Sequence, residues 1–189
     1  MTDCPKLVVG ITGASGSIYG LRLLETLKPT VIETHAIVSK PGLRTLNHEV
    51  GIGATDIDDL ADATYNIAEI GAAPASGSFK AMGMIVAPCS MKTMAEISLG
   101  ITGNLIARAA DVMLKERRKL VLAVRETPLH VGHLRNMTRL AEMGAIIAPP
   151  VPGFYAKPEN LDDMVDHTVG RLLDLFAVET GLVNRWEGL

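Results

Sequence analysis

Short apolar runs alternate with amphipathic stretches along most of this chain. Residues 7–12 (LVVGIT) are apolar up to the closing Thr12 and read as a buried strand. The following SIYGLRLLETL at 17–27 sets Ile18, Leu21, Leu24 and Leu27 on one helical face. The same rhythm predicts strands at 32–39, 83–88, 119–126 and 145–150, and helices at 43–50, 89–100, 104–118, 128–144 and 161–178. Asn104 is placed to cap one helix, while Pro128 opens another that Gly144 closes. The last helix starts with acidic residues that suit its positive end. Residues 51–80 are polar and less regular, with a loop at 71–79, and 150–159 is a proline-rich rigid loop. Strands apolar on both faces must be covered on both. The pattern therefore predicts an α/β fold, an open parallel sheet with helices on both faces, as a single domain over residues 1–189.

Composition narrows the setting. The 189 residues carry a formal net charge of −3, with no basic face to recommend nucleic acid. Hydrophobic residues make up 48 % and mean hydropathy is +0.25, yet no apolar run is long enough for a membrane span. The excess is expected inside the doubly covered sheet and in subunit contacts, which points to a homo-oligomer. Cys4 and Cys89 suit a reducing compartment better than a disulfide framework. MTDCPK at the start carries no targeting pattern, so the expected setting is cytoplasmic. The sequon at 136–138 is read as chance.

In open parallel sheets, ligands bind beyond the carboxyl ends of the strands, so the residues following each strand carry the functional argument. They are Gly13-Ala14-Ser15-Gly16, Ser39-Lys40, Cys89-Ser90-Met91-Lys92-Thr93, Arg125-Glu126-Thr127 and Phe154-Tyr155. Hydroxyls, glycines and charges gather there, as a polar, phosphorylated ligand requires. The glycine spacing in GITGASGSIYG (10–20) is neither a dinucleotide fingerprint nor a Walker loop, so phosphate binding and simple turn geometry both stay open. Ser90 and Thr93 could form an anion nest or merely cap a helix. Cys89 reads as a packed strand end rather than a nucleophile. His130 and His133 stand at metal-compatible spacing with no second ligand cluster, and read as helix surface. Arg108 falls in an apolar stretch with Asp111 three residues on as a partner, and Arg171 sits in a mostly apolar helix.

Taken together, GITGASGSIYG (10–20), SKPGLRTLNHE (39–49), SGSF (76–79), GMIVAPCSMKT (83–93), RAADVMLKERRKLVLAVRETPL (108–129), PPVPGFY (149–155) and the Arg171 helix resemble the UbiX-type flavin prenyltransferases over nearly the whole chain. Pro41-Gly42 and Gly153 depart from the usual family pattern without touching a charged or hydroxyl position. The resemblance implies a Rossmann-like or flavodoxin-like sheet and FMN as the cofactor, reduced FMN being the co-substrate and prenylated FMN the product. It implies transfer of a dimethylallyl group from dimethylallyl monophosphate to N5 and C6 of the flavin, without a metal. The product would serve a UbiD-type decarboxylase in ubiquinone biosynthesis or aromatic acid breakdown, and the assembly would be a homododecamer with the active site between subunits. By matching position, FMN contacts would be Gly13, Ala14, Ser15, Ser39, Ser90, Met91, Lys92, Thr93 and Arg125. Lys115, Tyr155 and Arg171 would hold the prenyl phosphate, with Arg108 and Glu126 completing the cage, and Ser15 with Glu49 would handle the N5 proton. Two rivals remain: an FMN-dependent cysteine-type decarboxylase, which would need a catalytic His and a cysteine-reading motif, and a non-catalytic flavin carrier.

Overall fold

Six parallel strands form one sheet in the spatial order β3-β2-β1-β4-β5-β6. The structure, a computed structural model, describes residues 4–188, so part of the polar N-terminal stretch lies outside it. The strands are β1 (Lys6–Ile11), β2 (Glu33–Val38), β3 (Ala63–Asn66), β4 (Gly83–Cys89), β5 (Lys119–Val124) and β6 (Ile146–Ile147). Between and after them run α1 (Ile18–Leu27), α2 (Lys40–Val50), α3 (Ala54–Leu60), α4 (Met91–Ser98), α5 (Leu105–Lys115), α6 (Val131–Glu142) and α7 (Leu161–Asp174). This is the expected α/β architecture, in the Rossmann-like strand order.

Period-two alternation splits the core in two. Leu7, Val9 and Ile11 of β1 pack with Leu24 of α1 and Leu172 of α7 on one face, whereas Val8 packs with Ile106 and Met113 of α5 on the other. β4 is buried at all seven positions, as a central parallel strand must be when helices cover both faces. The chain leaves β1 for β2 on one side and later returns to β4 on the other. A crevice therefore opens at the carboxyl ends of β1 and β4, where helices diverge to opposite faces.

Several boundaries differ from the expected ones for local reasons. Residues 51–80 hold α3 and β3. α3 buries only Ile57, and β3 is a four-residue edge strand that is half-buried at alternate positions, so neither leaves a strong apolar pattern. α2 begins at Lys40, because the Ser39 hydroxyl accepts from the Gly42 amide and caps it. α6 begins at Val131 rather than Pro128. Its cap is His130, whose Nδ1 accepts from the amides of Gly132 and His133. α7 ends at Asp174, and Ala177 beyond it takes a left-handed φ of 58°. Asn104 does cap α5, accepting from Ala107 at 3.0 Å. Among the described residues, no helix is long and apolar enough to cross a membrane.

Candidate active site

One buried threonine ties the crevice together. Thr12, at the end of β1, donates its hydroxyl to the Pro88 carbonyl at 2.7 Å and accepts from the Ser90 amide at 2.8 Å. The Ser39 amide donates to the Ile11 carbonyl at 2.9 Å, and the Arg125 amide to the Cys89 carbonyl at 3.1 Å. The loops after β1, β2, β4 and β5 are thus held in mutual register. Close approach of backbone does the rest. A Cβ on Gly13 would overlap the Pro41 ring, and one on Gly20 would overlap the Ala87 carbonyl. Gly16 takes a φ of 92°, which favours glycine.

Glu49, near the end of α2, closes this loop from the side. Its carboxylate accepts from the amides of Gly16 (3.0 Å) and Ser17 (2.9 Å) and from the Ser17 hydroxyl (2.7 Å). Partial burial pushes the Glu49 carboxyl up, but the hydroxyls of Ser15 and Ser17 and the two amides outweigh it and hold the group below its ordinary value. The residues matched by resemblance paired Ser15 with Glu49. In the structure the carboxylate has two hydroxyl partners: the fully buried Ser17 donates to it at 2.7 Å, and the exposed Ser15 beside it also helps to hold its charge. The half-buried Tyr19 also belongs here. Burial raises its phenol, and Arg125 is near enough to oppose that shift.

Beyond these loops lies a cavity of about 490 Å³ lined by Gly13, Ser39, Lys40, Ser90, Lys92 and Thr93, among others. Three helix N-termini, those of α2, α4 and α5, border it, a ready arrangement for an anion. The oxygens of Ser39 and Ser90 accept from the amides of Gly42 and Thr93, which turns both side chains toward their helix ends. Lys92 is exposed and pairs with Glu96 at 2.9 Å. Ala14 and Ser15 adjoin Gly13 in the same loop, and Met91 is the first residue of α4. A pocket of this size with hydroxyls, amides and three positive helix ends fits a flavin mononucleotide, whose phosphate needs donors and whose ring needs an apolar wall such as Ile67 and Ile106.

The remaining predicted residues stand elsewhere. Tyr155 and Arg171 share a second cavity of about 310 Å³ beside β6 and α7. There Arg171 pairs with Asp174 at 2.8 Å, and the Tyr155 hydroxyl lies 3.2 Å from His167 Nε2. Lys115, at the end of α5, lines a third cavity of about 510 Å³ with Arg117 and Arg118, and pairs with Glu116. Because α5 and α7 cover opposite faces of the sheet, one protomer does not gather Lys115 with Tyr155 and Arg171. Arg108 is held by the Ala75 carbonyl (3.2 Å) and by Asp111 (2.9 Å), the partner its spacing suggested. Glu126 is exposed and accepts from the Thr127 amide. Cys89 is fully buried, and its thiol is pushed up to about 12 by that burial, so it is a packing residue and no nucleophile.

The family profile described as Flavoprotein matches residues 1–173. Flavin prenyltransferase UbiX of Escherichia coli is 52 % identical over 186 residues, covering 97 % of this chain and 98 % of that protein. The chain belongs to the UbiX flavin prenyltransferase family. A crystal structure of a UbiX protein in complex with FMN and dimethylallyl pyrophosphate superposes with a TM-score of 0.97 at 48 % identity, covering 99 % of this chain and all of that one. A dodecameric FMN-dependent UbiX-like decarboxylase from Escherichia coli gives 0.94 at 49 %, covering 97 % and 100 %. The crevice after β1, β2 and β4 is thus a feature of a family fold shared along the whole chain.

Proposed function

We propose that this chain, one domain over residues 1–189, is a flavin prenyltransferase that joins the dimethylallyl group of dimethylallyl monophosphate to N5 and C6 of reduced FMN. The observation that carries the reading is the Glu49 carboxylate docked on the Gly16–Ser17 turn, in the same loop whose Gly13 lines a flavin-sized cavity. Gly13, Ala14, Ser15, Ser39, the Ser90–Thr93 turn and Arg125 hold the flavin. When bound, reduced FMN supplies the electron-rich ring that receives the five-carbon group.

The chain's own residues have separable tasks. Lys115, Tyr155 and Arg171 hold the donor's phosphate and stabilise the negative charge left on it as the allylic C–O bond breaks, fixed cations being worth several kcal/mol in a water-poor site. Arg108 and Glu126 complete that cage. Glu49, charged and hydrogen-bonded to the loop, is placed to take the proton released at N5 through a loop hydroxyl, with Ser15 exposed beside it and Ser17 anchoring the carboxylate. The proton lost at C6 goes to the released phosphate held near Glu126. Since Lys115 lies across the sheet from Tyr155 and Arg171, the phosphate cage is completed by a neighbouring subunit. Exposed apolar side chains near Tyr155, such as Val151, Phe154 and Leu161, support burial there in a homo-oligomer, and the dodecameric relative supports that stoichiometry. The product would pass to a UbiD-type decarboxylase, in the cytoplasm.

Anaerobic incubation of the assembly with reduced FMN and either dimethylallyl monophosphate or the diphosphate, followed by mass spectrometry of the extracted flavin, tests the reading. A flavin heavier by one five-carbon unit is expected with the monophosphate. Unchanged flavin with both donors would leave the carrier reading in its place.

A further inference from the structure

The chemistry proposed above leaves His167 without a task, although it touches the phosphate cage directly. On α7 it stands one turn before Arg171, on the same helical face, and only 7 % of it is exposed. Its Nε2 lies 3.2 Å from the Tyr155 hydroxyl, and the two rings meet edge to face with centroids 5.4 Å apart. Both side chains line the same cavity as Arg171. Tyr155 itself is 47 % exposed and rides on a three-residue turn, Phe154–Ala156, so local backbone does little to fix its ring.

The other ring nitrogen decides the direction of the bond. Nδ1 of His167 is buried and has no partner among the described residues. A proton on Nδ1 would be a buried donor with nothing to receive it, a costlier arrangement than a bare lone pair. The neutral ring therefore carries its proton on Nε2 and donates it to the phenol oxygen. With its oxygen occupied in this way, the Tyr155 O–H is turned away from His167 and left free to donate to an anion in the cavity.

We infer that His167 is a positioning residue: its Nε2–H holds the Tyr155 phenol so that the O–H points to the donor phosphate. The inference rests on the phosphate-binding role proposed for Tyr155. The test uses the intact FMN-loaded assembly with dimethylallyl monophosphate as the probe. Its Kd is measured by calorimetry on the oxidised, non-reacting enzyme, and KM and kcat on the reduced enzyme. His167→Phe should raise Kd and KM about tenfold, the scale of one lost hydrogen bond, with FMN content unchanged. His167→Gln, whose amide can still donate, should recover most of the loss. The double variant Tyr155→Phe with His167→Phe should be no weaker than Tyr155→Phe alone. A Kd within twofold of wild type in His167→Phe, beside a weakened Tyr155→Phe, would overturn the inference and leave the role of Tyr155 standing. A double variant weakened by the product of the two single losses would overturn it as well. Should Tyr155→Phe itself bind like wild type, the role of Tyr155 falls and this inference with it. If His167→Phe does not fold, Gln against Asn decides. Asn is too short to reach the phenol and should bind weakly, while equal affinity of the two amide variants would count against the bond.

Discussion

Around Gly13–Ser17 nearly every polar contact has backbone on at least one side. The Gly16 and Ser17 amides meet Glu49, the Ser90 amide meets Thr12, and the Ser39 and Arg125 amides meet strand carbonyls. Around Tyr155 and Arg171 the contacts join side chains instead, several of them exposed: Arg171 and Arg185 share Asp174, and Tyr155 leans on His167 and Trp186. The first region is fixed by the fold itself, because amides at strand ends and helix starts cost no side-chain entropy to orient. Exposed ion pairs of the second kind contribute little in water. They gain strength only when covered, and the subunit neighbour invoked for the cage would do that. On the proposed reading, one half of the site is finished within a single chain and the other is completed on assembly.

The contrast is sharpened most by Glu49→Gln. The variant should fold and retain FMN while losing about 10²- to 10⁴-fold in kcat, the usual contribution of a general base. Single-turnover kinetics on flavin-loaded enzyme reads this, and full activity would remove Glu49 from proton transfer. Next in size, Arg171→Met should raise KM for dimethylallyl monophosphate about ten- to a hundredfold, as expected for one charged hydrogen bond. FMN content, read by absorbance, should not move, because the two halves are distinct. Thr12→Val should cost about 1–3 kcal/mol in denaturant unfolding by leaving the Ser90 amide unpaired, and it should lower FMN affinity without changing donor KM in saturating flavin. The smallest effect is on pH dependence. The Glu49 carboxyl lies below its ordinary value of 4.5 in the folded chain, so its stabilisation is present above that value and is lost as pH falls through the lower, folded one. The Tm difference between wild type and Glu49→Gln should therefore hold steady at neutral pH and shrink in acid. A difference that grew on acidification would contradict the hydrogen bonding described here.

The sequence revealed those parts whose signal is local. β1 and β4 are continuous apolar runs, α1 carries a clear stripe, and Asn104 announces its helix, so these elements and the position of the crevice were readable. α3 and β3 were not, since their few buried side chains leave the pattern of a loop. The partnership of Ser17 with Glu49 spans 32 residues and has no mark in spacing. The one available hint was a small hydroxyl next to a strongly apolar helix start. Thr12 reads as the last residue of a strand, and only the register of β1 with β4 reveals what its hydroxyl bridges. Resemblance grouped Lys115 with Tyr155 and Arg171, but a linear string does not say which side of a sheet a helix covers.

That last separation reaches beyond the single chain. If the phosphate cage draws Lys115 from one copy and Tyr155 with Arg171 from another, a Lys115→Ala chain and an Arg171→Ala chain are each inert alone yet carry complementary intact halves. Co-expressed and assembled together, two disabled alleles would restore some working centres. A lone defective copy could conversely spoil sites that its neighbours were built to complete.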